Sequence, residues 1–228
     1  MLADAAISPI AALLADPARV AMLMALADGR EVAASALAMT AGVAAPTASL
    51  HLAKLAAAGL VGMRREGRQR LYRLIRPELV HAMEALAVLA PDAAPRTHRE
   101  ARIGRAVRSA RTCYDHLAGR LGVGITRALV DSGALLAGGR EFEVTAAGEL
   151  LLADLGVDLA AAHARRRAFA PACLDWSERV PHVAGALGAA LLGVLLDRGW
   201  IERTPASRAV QVTLAGRRGL QRVLGLAA

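Results

Sequence analysis

Several residue classes are scarce in this chain, and each scarcity excludes something. Lysine is nearly absent, since 27 of the 28 basic residues are arginine. Aromatic residues make up 3% of the sequence. Cysteine occurs twice, as Cys113 and Cys173, which excludes a disulfide-built scaffold. The longest apolar run, Val183 to Leu196, has 14 residues and three glycines, too few to span a bilayer. The start carries no secretory pattern, so the expected location is the cytoplasm, with reduced thiols and no membrane partner. No nucleophile elbow, phosphate-binding loop or zinc-protease signature occurs, so catalysis is not expected. What is present is 55% apolar residues and a positive mean hydropathy over 228 residues, enough for two folded domains. The formal charge is +8. Of this, residues 1–90 carry +2, residues 91–111 carry +4 and residues 112–228 carry +2. The arginine and alanine richness looks like coding bias, so the charge alone says little about partners.

The densest signal is residues 47–74. Leu52, Leu55, Ala56 and Leu60 follow a helical period and turn Thr47, Ser49, His51 and Lys54 toward a polar side. Gly59 predicts a left-handed cap, Leu60 to Arg64 alternate as a strand, and Glu66-Gly67 predict a turn before Arg70 to Leu74 return. Arg64, Arg65, Arg68 and Arg70 crowd the hairpin tip. Upstream, Ala33 to Gly42 is a short apolar helix about three residues away, the separation a helix-turn-helix needs. A helix, a turn, a second helix and a basic wing in this order point to duplex DNA.

Three further motifs join these. Asp16-Pro17-Ala18-Arg19 precedes apolar Met22, Leu23 and Leu26, and Ser8-Pro9 repeats the capping device one helix earlier. Ser49-Leu50-His51-Leu52 is followed by Leu55 and Gly59-Leu60-Val61. With Gly67 to Leu74 as the wing, residues 1–90 resemble the ArsR/SmtB family of winged helix-turn-helix repressors. The resemblance implies dimerisation through the first helix and the Pro77 to Leu89 helix, an inverted-repeat operator, and release of DNA on binding an inducer. Pro46, Thr47, Ser49, His51 and Lys54 with Arg64, Arg65, Arg68 and Arg70 are the expected DNA-binding residues. The chain departs from the family at Ala44, Ala45 and Pro46, which replace a polar cap and a base-reading amide. The metal-sensor motifs of the family are also missing. Residues Arg30 to Met39 contain no cysteine, and His81 and Glu84 lack their partners and are expected at the surface.

Ala90-Pro91-Asp92-Ala93-Ala94-Pro95 separates the first domain from the rest of the chain. Arg96, Arg99, Arg102, Arg105, Arg108 and Arg111 then recur every three residues, a spacing that winds them around a helix instead of forming one stripe. A solvated connecting helix is the plainer reading, extra phosphate contacts the alternative. Beyond Thr112 the chain repeats itself faintly. Leu129-Val-Asp-Ser-Gly133 and Val144-Thr145-Ala-Ala-Gly148 are echoed by Leu195-Leu-Asp-Arg-Gly199 and Val212-Thr213-Leu-Ala-Gly216, at offsets of 66 and 68 residues. The expected fold is therefore mainly α. A winged helix-turn-helix domain with small β-hairpin wings precedes an α-rich domain that two degenerate winged-helix-like units could build.

Residues 112–228 hold both cysteines and five of the six aromatics. Cys113 and His116, three apart, are expected to share a helix face, and Cys173 with Trp176 lies shortly before His182. A buried core is the ordinary expectation for such residues. The alternatives are an effector pocket including Tyr114 and Trp176, a redox cysteine pair, or a site for a soft metal or metalloid ion made by Cys113, His116, Cys173 and His182. The sequence thus predicts a homodimeric DNA-binding regulator, 1–90, a linker, 91–111, and a sensor, 112–228. A second half that only dimerises or docks a partner is the alternative, and an enzyme fused to a DNA-binding head a further one.

Overall fold

The computed structural model describes residues 6–91, 94–95, 97–205 and 207–227. Asp92 and Ala93 of the expected hinge and Arg96 of the arginine series lie outside the described residues. The chain divides into two compact units. One runs up to His81 and takes in Pro205–Arg208; the other comprises Ala82–Thr204 and the residues from Ala209 on.

The first unit contains α1 (Ser8–Leu14), α2 (Pro17–Ala25), β1 (Val32–Ala33), α3 (Ala34–Ala41), α4 (Ala45–Ala57), β2 (Val61–Glu66), β3 (Gln69–Leu74) and the start of α5 (Glu78–Leu89). Asp16 caps α2, accepting from the backbone N–H of Ala18 at 2.9 Å and of Arg19 at 3.1 Å. Arg19 turns back to donate to the carbonyls of Leu13 (2.7 Å) and Ala12 (2.9 Å), which the last turn of α1 leaves without helical partners. Ser8 does not act as a cap. It lies inside the first turn, and the N-cap position is Ile7, which makes no side-chain hydrogen bond. α3 ends at Gly42, whose φ of +66° suits a residue without a Cβ. The chain turns by 104° between α3 and α4, within the range of a helix-turn-helix. Leu52 and Leu55 of α4 are buried along with Leu23, Leu26 and Leu37.

The wing pairs from Val61↔Leu74 to Glu66↔Gln69. Its turn is Gly67-Arg68, one residue beyond the Glu66-Gly67 expected, because Glu66 still pairs. β1 adds a third strand that the sequence reading does not predict, giving the order β1-β3-β2. At two residues it is too short for alternation to be visible.

The second unit opens with the end of α5 and α6 (His98–Ser109), whose N-cap Thr97 accepts from the Glu100 N–H at 3.1 Å. Arg102, Arg105 and Arg108 ride on α6, but Arg111 leaves the series. It belongs to a strand and has no solvent exposure. Next come β4 (Arg111–Cys113), β5 (His116–Ala118), α7 (Gly119–Asp131), β6 (Leu135–Ala137), β7 (Phe142–Val144), α8 (Ala146–Leu155) and α9 (Leu159–His163). The same order returns in β8 (Ala172–Leu174), β9 (Pro181–Val183), α10 (Gly185–Asp197), β10 (Ile201–Arg203), β11 (Val210–Val212) and α11 (Leu214–Leu224).

From β4 on, the unit is thus hairpin, helix, hairpin, helix, twice over, with α9 lying between the two copies, and the repeat extends further than the sequence reading predicts. His116-Leu-Ala-Gly119-Arg-Leu-Gly122 corresponds to His182-Val-Ala-Gly185-Ala-Leu-Gly188. The landmarks correspond physically. Thr145 and Thr213 cap the final helix of each copy by accepting from Gly148 N–H (3.0 Å) and Gly216 N–H (2.9 Å). Leu121, Ile125 and Leu129 of α7 and Leu187, Leu191 and Leu195 of α10 enter one hydrophobic core with Leu135, Leu152, Trp200 and Leu220. Among the described residues no single helix is long and apolar enough to cross a membrane.

Helix and hairpin approach so closely that a Cβ at Gly148 would sit 2.0 Å from the Ala134 carbonyl oxygen, and one at Gly216 1.9 Å from that of Trp200. Gly148→Ala and Gly216→Ala are each expected to lower the unfolding free energy by about 2–4 kcal/mol in urea titrations. Gly193→Ala on α10, where nothing lies within 4 Å, is expected to be neutral or to stabilise by up to about 1 kcal/mol.

Candidate nucleic-acid interface and metal centre

In the first unit, α4 and the wing carry the expected contact residues. Pro46, Thr47 and Lys54 are exposed on α4, as are Arg64, Arg65, Arg68 and Arg70 on the wing and its turn. Ser49 and His51 are half-buried. Ser49 accepts a hydrogen bond from Arg70 at 3.3 Å, which ties the wing to α4. His51 faces the start of α2, with its Nδ1 3.4 Å from Arg19 and 4.0 Å from the Asp16 carboxylate. Arg64 is held by Glu31 at 2.6 Å and by Glu66 at 3.1 Å. Leu50, which the sequence reading does not single out, is 67% exposed beside Thr47 and Lys54. An exposed leucine on a recognition helix suits contact with a thymine methyl.

In the second unit, Cys113, His116, Cys173 and His182 come together. Their potential ligand atoms all lie within 4.8 Å of one another. Cys113 and His116 do not share a helix face as expected. They face each other across the β4–β5 hairpin, whose two-residue turn holds Tyr114 at a φ of +59°. Cys173 and His182 face each other in the same way across β8–β9. Each copy of the repeat therefore delivers one cysteine and one histidine from opposite strands of its first hairpin. The imidazoles are 5.1 Å apart, centroid to centroid. Cys113, His116 and His182 are buried and Cys173 is partly exposed.

None of the four imidazole nitrogens has a hydrogen-bond partner among the described residues. Carboxylates stand just beyond, with His116 Nδ1 3.6 Å from Asp115 and His182 Nδ1 3.6 Å from Asp175. Burial opposes charge on His116, but Asp115 and Cys113 outweigh it and raise its pKa to about 9. The hydrogen bond between the sulfurs, reinforced by burial, pushes Cys113 up to about 12 and draws Cys173 down. Asp115 is lowered to about 2 against the effect of burial, by His116 and by its ion pair with Arg167. Two cysteine sulfurs, once they give up their protons, and two imidazoles are a donor set for a borderline-soft cation.

Asp175 is absent from the sequence-based candidates, although it stands two residues after Cys173. Its Oδ2 accepts from the Gly119 N–H at 2.6 Å and from Arg111 at 3.0 Å, and its Oδ1 from the N–H groups of Ser177 and Glu178 and the Ser177 hydroxyl. Burial would raise its pKa, but Arg111 and these donors hold it well below the usual carboxylate range. Glu84 is a correction, since it is 3% exposed and faces Arg111 at 3.5 Å, while His81 is exposed as expected. Trp176 stacks under the guanidinium groups of Arg108 and Arg111, each 4.8 Å from the ring centroid. It packs this charge network, and Tyr114 occupies the hairpin turn.

Taken together, α3, α4 and the β2–β3 wing define a winged helix-turn-helix protein. A family model described as a helix-turn-helix domain matches residues 14–64. The uncharacterized HTH-type transcriptional regulator YdfF of Bacillus subtilis is 42% identical over 220 residues, covering 96% of this chain and 97% of that protein. The HTH-type transcriptional regulator KmtR of Mycobacterium tuberculosis is 42% identical over 93 residues, 39% of this chain and 70% of that protein. Among solved structures, the transcriptional repressor BigR of Xylella fastidiosa is 26% identical, covering 38% of this chain and 88% of that one, with a TM-score of 0.35. The chain belongs to the helix-turn-helix transcriptional regulators, and its residues 1–90 resemble the winged ArsR/SmtB type. It is a transcriptional regulator with a helix-turn-helix DNA-binding domain.

The buried ion pair of Arg111 with Asp175 supports both hairpins. Arg111→Met is expected to destabilise the protein by about 3–5 kcal/mol, because it leaves Asp175 buried without its charge partner. Chemical denaturation of the full chain measures this.

Proposed function

We propose that the protein is a homodimeric repressor that binds an inverted-repeat operator through α4 and the wing, and that it lets go when an effector occupies the Cys113, His116, Cys173 and His182 cluster. The observation that carries the effector half is the convergence of four ligand atoms within 4.8 Å in a unit that has no part in the helix-turn-helix. Two buried imidazoles whose ring nitrogens have no hydrogen-bond partner among the described residues cost stability unless something uses them.

The DNA half rests on the exposed set. Thr47, Lys54 and Leu50 offer α4 to the major groove. Arg65, Arg68 and Arg70 hold phosphates, with Arg64 joining them by exchanging Glu31 for the backbone. Ser49 and His51 act one step back, Ser49 orienting Arg70 and His51 seating α4 against α2. Dimerisation puts two such helices about 34 Å apart, in successive major grooves. The exposed apolar side chains Ile7, at the entry of α1, and Leu86 and Leu89, on α5, support an apolar dimer contact through those helices. A cytoplasmic setting with reduced thiols fits the free cysteines.

Two measurements test the reading. Operator DNA selected from random sequence by the full chain is expected to bind one dimer per site. Arg65, Arg68 and Arg70 replaced together by Ala should then weaken binding at least tenfold and flatten the log–log salt slope by about 0.9 per lost phosphate contact. An unchanged slope removes the wing from the interface. In cells, a reporter under that operator is expected to be derepressed by salts of soft divalent metals, and to stay repressed in the Cys113→Ser, Cys173→Ser double variant. Equal induction in the double variant removes the cluster as the effector site.

A further inference from the structure

We propose that Cys113, His116, Cys173 and His182 bind one divalent cation of the zinc class, and that Asp175 and Arg111 link its binding to Glu84 on α5. The link rests on the reading of the cluster as the effector site; the cation site stands without it.

The donor set fixes the class. Two sulfurs exclude magnesium and calcium, which take oxygen ligands, and two sulfurs with two imidazoles in tetrahedral array are a zinc-type set. Charge narrows it further. Binding releases the protons of the thiols and any imidazolium proton to solvent; two thiolates, two neutral imidazoles and a dication then sum to zero, whereas a monovalent or trivalent cation would leave a net charge at a largely buried site. Tetrahedral bonds of about 2.3 Å to sulfur and 2.0–2.1 Å to nitrogen place donor atoms about 3.3–3.8 Å apart. Donor atoms already within 4.8 Å of one another need only small side-chain rotations to close on an ion.

The imidazoles supply the second argument. A disulfide between Cys113 and Cys173 would leave all four buried ring nitrogens as they are. A cation takes one nitrogen of each ring and leaves the other to the nearby carboxylate. The Nδ1 atoms already face Asp115 and Asp175 at 3.6 Å, the outer-shell arrangement that orients histidine ligands and raises their basicity. Both carboxylates are neutralised from behind, by Arg167 and Arg111. The repeat explains why the site lies where it does. Gly188 lets α10 come so near β5 that a Cβ there would lie 3.0 Å from that of His116, bringing one copy against the other. The cation would cross-link the two copies, each contributing one cysteine and one histidine.

The link follows from what Asp175 shares. Its Oδ2 serves the Gly119 N–H, Arg111 and, at 3.6 Å, His182. A metal-bound imidazole is a stronger N–H donor, so loading the site draws on the same oxygen that holds Arg111. Arg111 then shifts its weight toward Glu84, 3.5 Å away. Glu84 lies on α5, a helix that begins in the first unit, and that helix is the route by which occupancy alters DNA affinity.

The test uses reduced, metal-free full-length protein and cobalt(II) as a spectroscopic stand-in for zinc. One equivalent per chain is expected to give the visible bands of tetrahedral cobalt and a thiolate charge-transfer band, both abolished by zinc. Cys173→Ser and His182→Asn, shown folded by circular dichroism, should lose the bands and bind cobalt more than about a hundredfold more weakly. Absence of bands in the wild type, or unchanged bands in both variants, overturns the site. Glu84→Gln should keep the cobalt spectrum but lose the zinc-dependent change in affinity for the selected operator, leaving a ratio within twofold of one. A wild-type ratio in Glu84→Gln overturns the link while the site stands. A filled site that leaves wild-type operator affinity unchanged overturns the effector reading, and the link with it.

Discussion

Asp175 is a charged carboxylate with no solvent exposure, and a charge so placed persists only where every lone pair finds a donor and a cation stands near. Those demands are met from both copies of the repeat. Arg111 and the Gly119 N–H reach it from the first copy, while Ser177 and Glu178 turn around it within the β8–β9 loop. The carboxylate therefore fixes the start of α7, the start of β4 and the loop before β9 relative to one another. The positions of Cys113, His116, Cys173 and His182 follow, because these residues sit on the strands so fixed. Positioning of the four ligands is in this sense a by-product of neutralising one buried charge.

The duplication gives the second unit its economy. A hairpin followed by a glycine-initiated helix recurs, and the two α helices that begin at Gly119 and Gly185 share one core through Leu121, Ile125, Leu129 and their counterparts. Gly119 and Gly185 both take positive φ, which lets each helix leave its hairpin without a side chain in the way. The division of labour between the units is chemical. The first places exposed cations on a wing, where they remain hydrated until they meet phosphate; the second gathers soft donors, three of the four buried and Cys173 partly exposed.

The first unit is largely legible in the sequence because its signals are local. Asp16 as a cap, Gly42 and Gly59 as left-handed residues and the apolar spacing of α4 each act within a few residues. Ser8 fails as a cap because the helix starts one residue earlier than Ser-Pro suggests. In the second unit the caps Thr145 and Thr213 are legible for the same reason. The four ligand residues are legible by type, but not their arrangement. A three-residue spacing fits a helix face as well as a tight hairpin, and only β4–β5 pairing decides it. Arg111 reads as the last of a helical arginine series, and Glu84 as a surface residue, since burial by a partner distant in sequence leaves no local mark. One signal in the sequence does carry the arrangement: the echo of His116-Leu-Ala-Gly119 in His182-Val-Ala-Gly185 places the histidines at equivalent positions.

The central claim is that two duplicated hairpins converge on one cation through two sulfurs and two nitrogens. X-ray absorption at the zinc edge of the reduced, zinc-loaded full chain tests it most directly. The account requires a first shell of two sulfurs at about 2.3 Å and two nitrogens at about 2.0–2.1 Å, with imidazole scattering beyond. A shell of oxygen and nitrogen alone, or one whose sulfur signal survives replacement of Cys173 by Ser undiminished, would contradict it.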